Sequence, residues 1–318
     1  MTLAATPPPV VAPPAESGTP TARRPRRRSR QSGQPWNKPR VLASITWLYV
    51  AWSLVPVLIA MAFSFNRGRS RSSWQGFSVR WWWTDGGSLR RDPALLLAVR
   101  NSLILGLVTI VIVVPLGMAL AIGLTRWRRR AAGGANVIAL LPLVTPEIVM
   151  GAALFIVFKE LYTGIPLGRP AQILGHVTFT LSFVVVIVRG RLIAIGPVYE
   201  EAARDLGANA RQALRLVILP LLWPAVFASA VIVFATSLDD FVIASFLSSG
   251  AGTETVPIRI YGSARGGATP ALNAIATLML LITLGVIGLG LFVLSQARKR
   301  RGGQGQANAL GDLAGMSV

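Results

Sequence analysis

Residues 199–224, YEEAARDLGANARQALRLVILPLLWP, are the stretch on which the reading of this chain turns. They form a polar interlude between two long apolar runs. Glu200, Glu201, Arg204, Asp205, Arg211 and Arg215 crowd into 16 of its residues. Local physics divides the stretch into two helical pieces. Residues 200–206 suit a short helix, with Ala202 and Ala203 small enough to let another surface approach closely. Gly207 accepts the left-handed backbone that ends such a helix. Residues 210–218 suit a second helix, and Pro220, which has no N–H to donate, punctuates the start of the next apolar run. A bent, charged helix pair placed between apolar segments is either a docking element or a solvated loop.

Outward from this interlude the chain reads as membrane. It has 318 residues, 53% of them hydrophobic and only 14% charged, with a mean hydropathy of +0.56. A hydrocarbon core of about 30 Å asks for roughly 20 apolar residues per helix. Runs of that kind lie at 41–65, 97–125, 135–158, 172–190, 217–247 and 272–296, which predicts six spans. The first run is preceded by a long basic region and exceeds a signal-peptide core, so it is expected to be a retained helix despite the triplet Ala60-Met61-Ala62. Residues 1–40 hold PPP, PP and RRPRRRSR, a composition that cannot bury enough surface to fold, and are expected to be a disordered tail. Residues 66–94 form a hydrophilic connection. Trp81, Trp82 and Trp83 within it are expected at the membrane interface.

Charge fixes the expected orientation. The net charge of +20 lies beside apolar runs rather than in a nucleic-acid-binding patch, so anionic lipid is the expected partner and nucleic acid is not. With both ends inside, the inner segments carry 21 Lys and Arg, against 11 on the others. Both termini and residues 189–216 are therefore expected in the cytoplasm, although six arginines between 67 and 91 run against the rule.

The chemistry of catalysis is missing. The lysines are Lys38, Lys159 and Lys299, and none follows a glycine, so no phosphate-binding loop of the Gly-Lys-Ser/Thr kind exists. No H-E-x-x-H or G-x-S-x-G pattern occurs. Cysteine is absent and His176 is the only histidine, which leaves no thiolate or His-rich metal site. His176 is expected at the interface, near the outer end of the fourth span. Asp239 and Asp240 are adjacent, and helical neighbours point about 100° apart, so they form no protease dyad. Arg100 and Asn101 are expected to anchor the second span at the interface. Pro115, Gly117 and Gly123 serve packing or a kink within it.

Against that background the opening stretch resembles a known pattern. Glu201-Ala202-Ala203, Gly207 and Val217-x-Leu219-Pro220 are similar to the EAA motif of ABC-importer permeases, EAA-x3-G-x9-I-x-LP, with Val217 in place of Ile the one departure. The segments 140–154 (LLPLVTPEIVMGAAL), 237–250 (SLDDFVIASFLSSG) and 256–280 resemble the spermidine/putrescine permeases of the PotC-like type, and the similarity covers about residues 95–296. This resemblance implies an all-α polytopic fold of the type I ABC-importer (MetI-like) class. It also implies a coupling loop at 199–220, in which Glu200, Glu201, Ala202, Ala203, Asp205, Gly207, Leu219 and Pro220 serve contact with a separate ATPase. ATP and Mg would then be bound by that partner and no cofactor by this chain. A second permease subunit, forming a heterodimer, and an extracytoplasmic substrate-binding protein are the other implied partners, in the inner membrane of a bacterial-type cell.

Three acids lie inside the apolar runs: Glu147, Asp239 and Asp240. A carboxylate in hydrocarbon costs about 2.5 kcal/mol or more, so it faces a cavity or a partner. One reading makes them contacts for a cationic substrate. The other is structural: Asp239 or Asp240 caps a short helix at 241–249, and Glu147 bonds backbone released by Pro142 and Pro146. The expected function is import of a polyamine. An amine, an amino-acid-like compound or ferric ion is the alternative cargo, and an ion-coupled secondary transporter the alternative machine.

Overall fold

The computed structural model describes residues 40–70, 73–126, 131–267 and 270–315. The expected tail lies outside them up to residue 39. The chain divides into two units, Met1–Ser53 and Leu54–Val318. In the first, the described part is the opening half of helix α1 (Arg40–Phe63), where Val41, Trp47, Leu48 and Trp52 are exposed. A helix that is apolar all round suits lipid rather than water.

Among the described residues the regular structure of the second unit is helical, apart from an antiparallel bridge between Asn66 and Phe77. After α1 come α2 (Arg80–Trp83), α3 (Pro93–Arg126), α4 (Ala131–Val144), α5 (Glu147–Ile156, continued by a π turn to Leu161) and α6 (Arg169–Ile195). Then follow α7 (Val198–Asp205), α8 (Ala210–Gln212), a π turn (Ala213–Ile218), α9 (Leu219–Asp239), α10 (Val242–Phe246), α11 (Val256–Gly267) and α12 (Pro270–Gly315). Among the described residues five helices are long and apolar enough to cross a membrane, and a sixth span results if α4 and α5 count as one.

Two expected spans differ from straight rods. The run at 135–158 is broken between Val144 and Glu147, with a bend of 107°. A proline at 146 disfavours helical backbone at the residue before it, and Pro146 itself sits at ψ 132°. The run at 217–247 is helical from Ala210 and stops at Asp239, because Asp240 takes an extended backbone, φ −65° and ψ 121°.

Helices α3, α6 and α9 pack together at the centre around Val113, Ala121, Val184, Val188, Leu222 and Val233. Small residues let the backbones close up, as in membrane bundles where lipid offers no hydrophobic drive to association. A Cβ on Gly117 would come within 2.7 Å of Val184, and one on Gly106 within 3.1 Å of Phe234. Gly117 thus has the packing role expected for it.

Trp81 and Leu89 join a second apolar cluster, formed with α3, α9, α11 and α12. Trp81 is 1% exposed, packs with Leu95, Phe234 and Ile275, and donates its indole N–H to Asn66 O at 2.8 Å. Its expected place at the interface is therefore corrected; Trp83, by contrast, is exposed. Asn101 is likewise buried. It donates to Gly252 O and Glu254 O at 3.1 and 3.0 Å and accepts from Arg169 at 2.7 Å. Its anchor is the loop before α11, not the interface.

Candidate functional site

Two features stand apart, at different places along the bundle. The first is an acidic cavity of about 680 Å³ lined by residues of α5, α9, α11, α12 and the α9–α10 break. Glu147, Asp239 and Asp240 all line it, so the bend between α4 and α5 brings together acids that lie some 90 residues apart in sequence. Glu147 opens α5, where the positive end of the helix dipole favours a carboxylate. Helix α5 reaches α10 because Gly151 is small: a Cβ there would meet Phe246 at 2.7 Å. Aliphatic and aromatic walls, Phe241, Val256, Ile260 and Met279, surround the carboxylates, and no Lys or Arg lines the cavity among the described residues.

The three acids do different work. Asp240 is buried and accepts from the backbone N–H of Ile243 (3.3 Å) and Ala244 (2.8 Å), which starts α10. Of the two aspartates expected to cap this helix, it is Asp240 that does so. Asp239 and Glu147 are exposed towards the cavity, and among the described residues neither has a hydrogen-bond or ion-pair partner. The structural role considered for Glu147, a bond to backbone near Pro142 and Pro146, is not made. His176 is 1% exposed rather than interfacial, and its Nε2 lies 3.2 Å from Asp240 Oδ2.

The second feature is the elbow between α6 and α9. Helix α7 ends on a double backbone bond: Gly207 N–H reaches Arg204 O at 2.8 Å, and Ala208 N–H reaches Ala203 O at 3.0 Å. Gly207 makes this possible at φ +85°. The chain then turns into α8, whose start is fixed by a reciprocal cap in which Asn209 and Gln212 each bond the other's backbone. From Ala210 the helix runs on into α9, with the π turn at Ala213–Ile218 immediately before Leu219 and Pro220. Leu219 and Pro220 are half-buried at this junction.

The elbow's residues divide by direction. Ala203 is buried against the π turn, so its smallness serves the elbow's own packing, whereas Glu201, Ala202, Asp205 and Gly207 are exposed. Glu200 is turned back: its carboxylate meets Arg126 at 2.8 Å and Arg204 at 2.6 Å, tying α7 to the end of α3. Each such half-exposed pair stabilises by about 0.2–1 kcal/mol, but together they orient the helix. Leu206, at 90% exposure, is a large apolar side chain at the tip of a charged helix. Its place in the sequence carried no signal, since a leucine before a glycine fits any helix end.

The sequence profile of the binding-protein-dependent transport system inner membrane component family matches residues 112–301, which include both features. This chain belongs to that family. The permease is 35% identical over 275 residues to the putrescine transport system permease protein PotI of Escherichia coli (strain K12), covering 84% of this chain and 93% of that protein. It is 36% identical over 234 residues to the spermidine/putrescine transport system permease protein PotC of the same organism, covering 74% and 86%. Among solved structures, a bacterial ABC transporter involved in the import of the acidic polysaccharide alginate superposes with a TM-score of 0.63 at 16% identity, covering 80% of this permease and 96% of that chain. An amino acid ABC transporter gives 0.52 at 20% identity, covering 64% and 94%. The permease thus has the type I ABC-importer fold.

Proposed function

We propose that this permease forms half of the translocation path of an ATP-driven importer of polyamines such as putrescine and spermidine. It lies in a bacterial inner membrane with both termini in the cytoplasm, an orientation supported by the distribution of Lys and Arg along the chain. A second, different permease completes the path, and a binding protein delivers cargo from outside. Separate ATPase subunits hold ATP and Mg, and they dock on the elbow through Glu201, Ala202, Asp205, Leu206 and the turn at Gly207. Glu200, Ala203, Leu219 and Pro220 shape that surface from within. Movement of the ATPases shifts α7 and, through the Glu200–Arg126 pair, α3. The spans then alternate between outward- and inward-facing arrangements.

The observation that carries the polyamine reading is the acidic cavity, in which Asp239 and Glu147 are unpaired among the described residues. Carboxylates in an apolar wall are costly unless a cation visits them. A linear di- or trication offers ammonium groups spaced along a flexible chain, a fit to several acids set around one cavity. The names of relatives at 35% and 36% identity point the same way.

The test is uptake by the assembled transporter in proteoliposomes over a panel of putrescine, spermidine, a cationic amino acid and ferric ion. Polyamine uptake that requires ATP is expected. Glu147→Gln with Asp239→Asn should lower polyamine uptake per ATP hydrolysed by about tenfold, a loss of about 1.4 kcal/mol of cation stabilisation. Uptake of another cargo with polyamines excluded would overturn the reading, as would transport by the chain alone on an ion gradient.

A further inference from the structure

Helix α6 presents one side to the break between α9 and α10, and the residues on that side recur at helical spacing. Gln172 Nε2 donates to Ala244 O at 2.9 Å and to Thr253 O at 3.1 Å. At Gly175 a Cβ would stand 2.6 Å from a Leu247 methyl and 3.0 Å from an Ile243 methyl, so the missing side chain lets α6 lie close to α10 and Leu247. His176 follows, its Nε2 3.2 Å from Asp240 Oδ2, with both side chains almost wholly buried. Phe179, one turn on, joins Ile243 and Leu247 in the same apolar cluster.

Asp240 Oδ2 is where the imidazole and the start of α10 meet. It accepts from Ala244 N–H at 2.8 Å while Oδ1 accepts from Ile243 N–H at 3.3 Å. Among the described residues the imidazole is the side chain that reaches this carboxylate from another helix, at ion-pair distance; Nε2 has no aligned hydrogen bond, so its one polar neighbour is Asp240. Asp239 lies one residue away, so the direction in which it faces the cavity depends on how the break is held. Glu147 on α5 and Asp239 on α9 are the other charged groups around the cavity.

We propose that His176 is a positioning residue for the acidic pair, locking the Asp240 carboxylate to α6 so that Asp239 is presented to the cargo. This rests on the cavity being the cargo path. A buried side chain that does no more than fill space would be replaceable by one of similar volume. A residue that positions through a polar contact is replaceable only by a polar group of the same reach. Glutamine, whose amide nitrogen extends about as far as the imidazole Nε2, keeps an N–H group beside Oδ2, and leucine does not.

The experiment is a double-mutant cycle in the assembled transporter, read in two ways: thermal unfolding, and polyamine uptake per ATP hydrolysed. His176→Leu should lower the uptake ratio by about tenfold, His176→Gln should stay within about threefold of the parent, and in an Asp240→Asn background His176→Leu should add almost nothing. Equal losses for Leu and Gln, or a full further loss in the Asp240→Asn background, would overturn the proposal. Coupling in thermal unfolding with none in uptake would overturn it too, because the contact would then be structural alone. If His176→Leu fails to assemble, His176→Asn, whose amide falls short of Oδ2, takes its place in the cycle. The two readings fail differently: unchanged uptake in the Glu147→Gln, Asp239→Asn variant removes the cargo path and the positioning role together. A loss there without His176–Asp240 coupling removes the positioning role alone.

Discussion

The elbow stands or falls on the backbone of Gly207, and substitution there makes a graded test. Gly207 holds φ +85°, and a Cβ added to it would meet nothing within 4 Å. Any cost therefore comes from backbone conformation and not from a clash within the chain. An L-residue in the left-handed region costs about 1–2 kcal/mol, and asparagine is better tolerated there because its short polar side chain bonds locally. At RT of about 0.59 kcal/mol, Gly207→Ala should reduce the population of the bent elbow by roughly 5- to 30-fold. Gly207→Asn should reduce it less. Proline, locked near φ −65°, cannot adopt the turn, and it also removes the N–H that bonds Arg204 O at 2.8 Å. Its expected effect exceeds about 3 kcal/mol, more than a hundredfold. Titration of the ATPase subunit onto the permease in nanodiscs measures these ratios as apparent affinities, with membrane insertion as the control. The expected order is Gly, Asn, Ala, then Pro. If alanine and proline bind as the parent does, the bent elbow is not what the ATPase recognises. If asparagine is as poor as proline, side-chain bulk at the docking surface is the cause and the conformational argument is wrong.

Other expected outcomes follow from single contacts. Leu206→Asp places a charge where an apolar tip is 90% exposed; the isolated permease should melt unchanged while ATPase affinity falls by about tenfold, as expected for loss of an anchor worth more than 1 kcal/mol. Gly117→Leu drives a side chain into Val184, 2.7 Å from the would-be Cβ, and should destabilise the bundle by about 1–3 kcal/mol in detergent melting. Between residues 64 and 92, Asp85 accepts from Gly87 N–H and from Arg80, which holds its carboxyl below the usual value of 3.8. Because the folded pKa is the lower one, its stabilising contribution is present above the unfolded value and is lost as the pH falls through the folded value. Tryptophan emission from Trp81–Trp83 should report that loss on acidification, and Asp85→Asn should flatten the response; an unchanged acid transition would show that Asp85 holds nothing there.

Much of this protein was legible in residue order because membrane spans and helix ends are local matters. Twenty apolar residues specify a span whatever surrounds them, and the glycine at 207 marks a helix end by its own conformational range. The EAA pattern was readable for the same reason, since its residues lie within one turn–helix unit. Tertiary structure alone decided the rest. A 107° bend between α4 and α5 placed Glu147 beside Asp239 and Asp240, and no local pattern tells a broken span from a kinked one. Burial of Trp81, Asn101 and His176 depended on partners 15, 151 and 64 residues away. In a membrane chain an interfacial site and a satisfied interior one suit the same polar or amphipathic side chain, and only the fold supplies the partner that makes burial affordable. Even within this stretch, Glu200 and Ala203 face inward while Glu201 and Ala202 face outward. That division is set by the π turn on which Ala203 packs and by Arg126 at the end of α3, which pairs with Glu200; Arg126 lies some 75 residues before the motif.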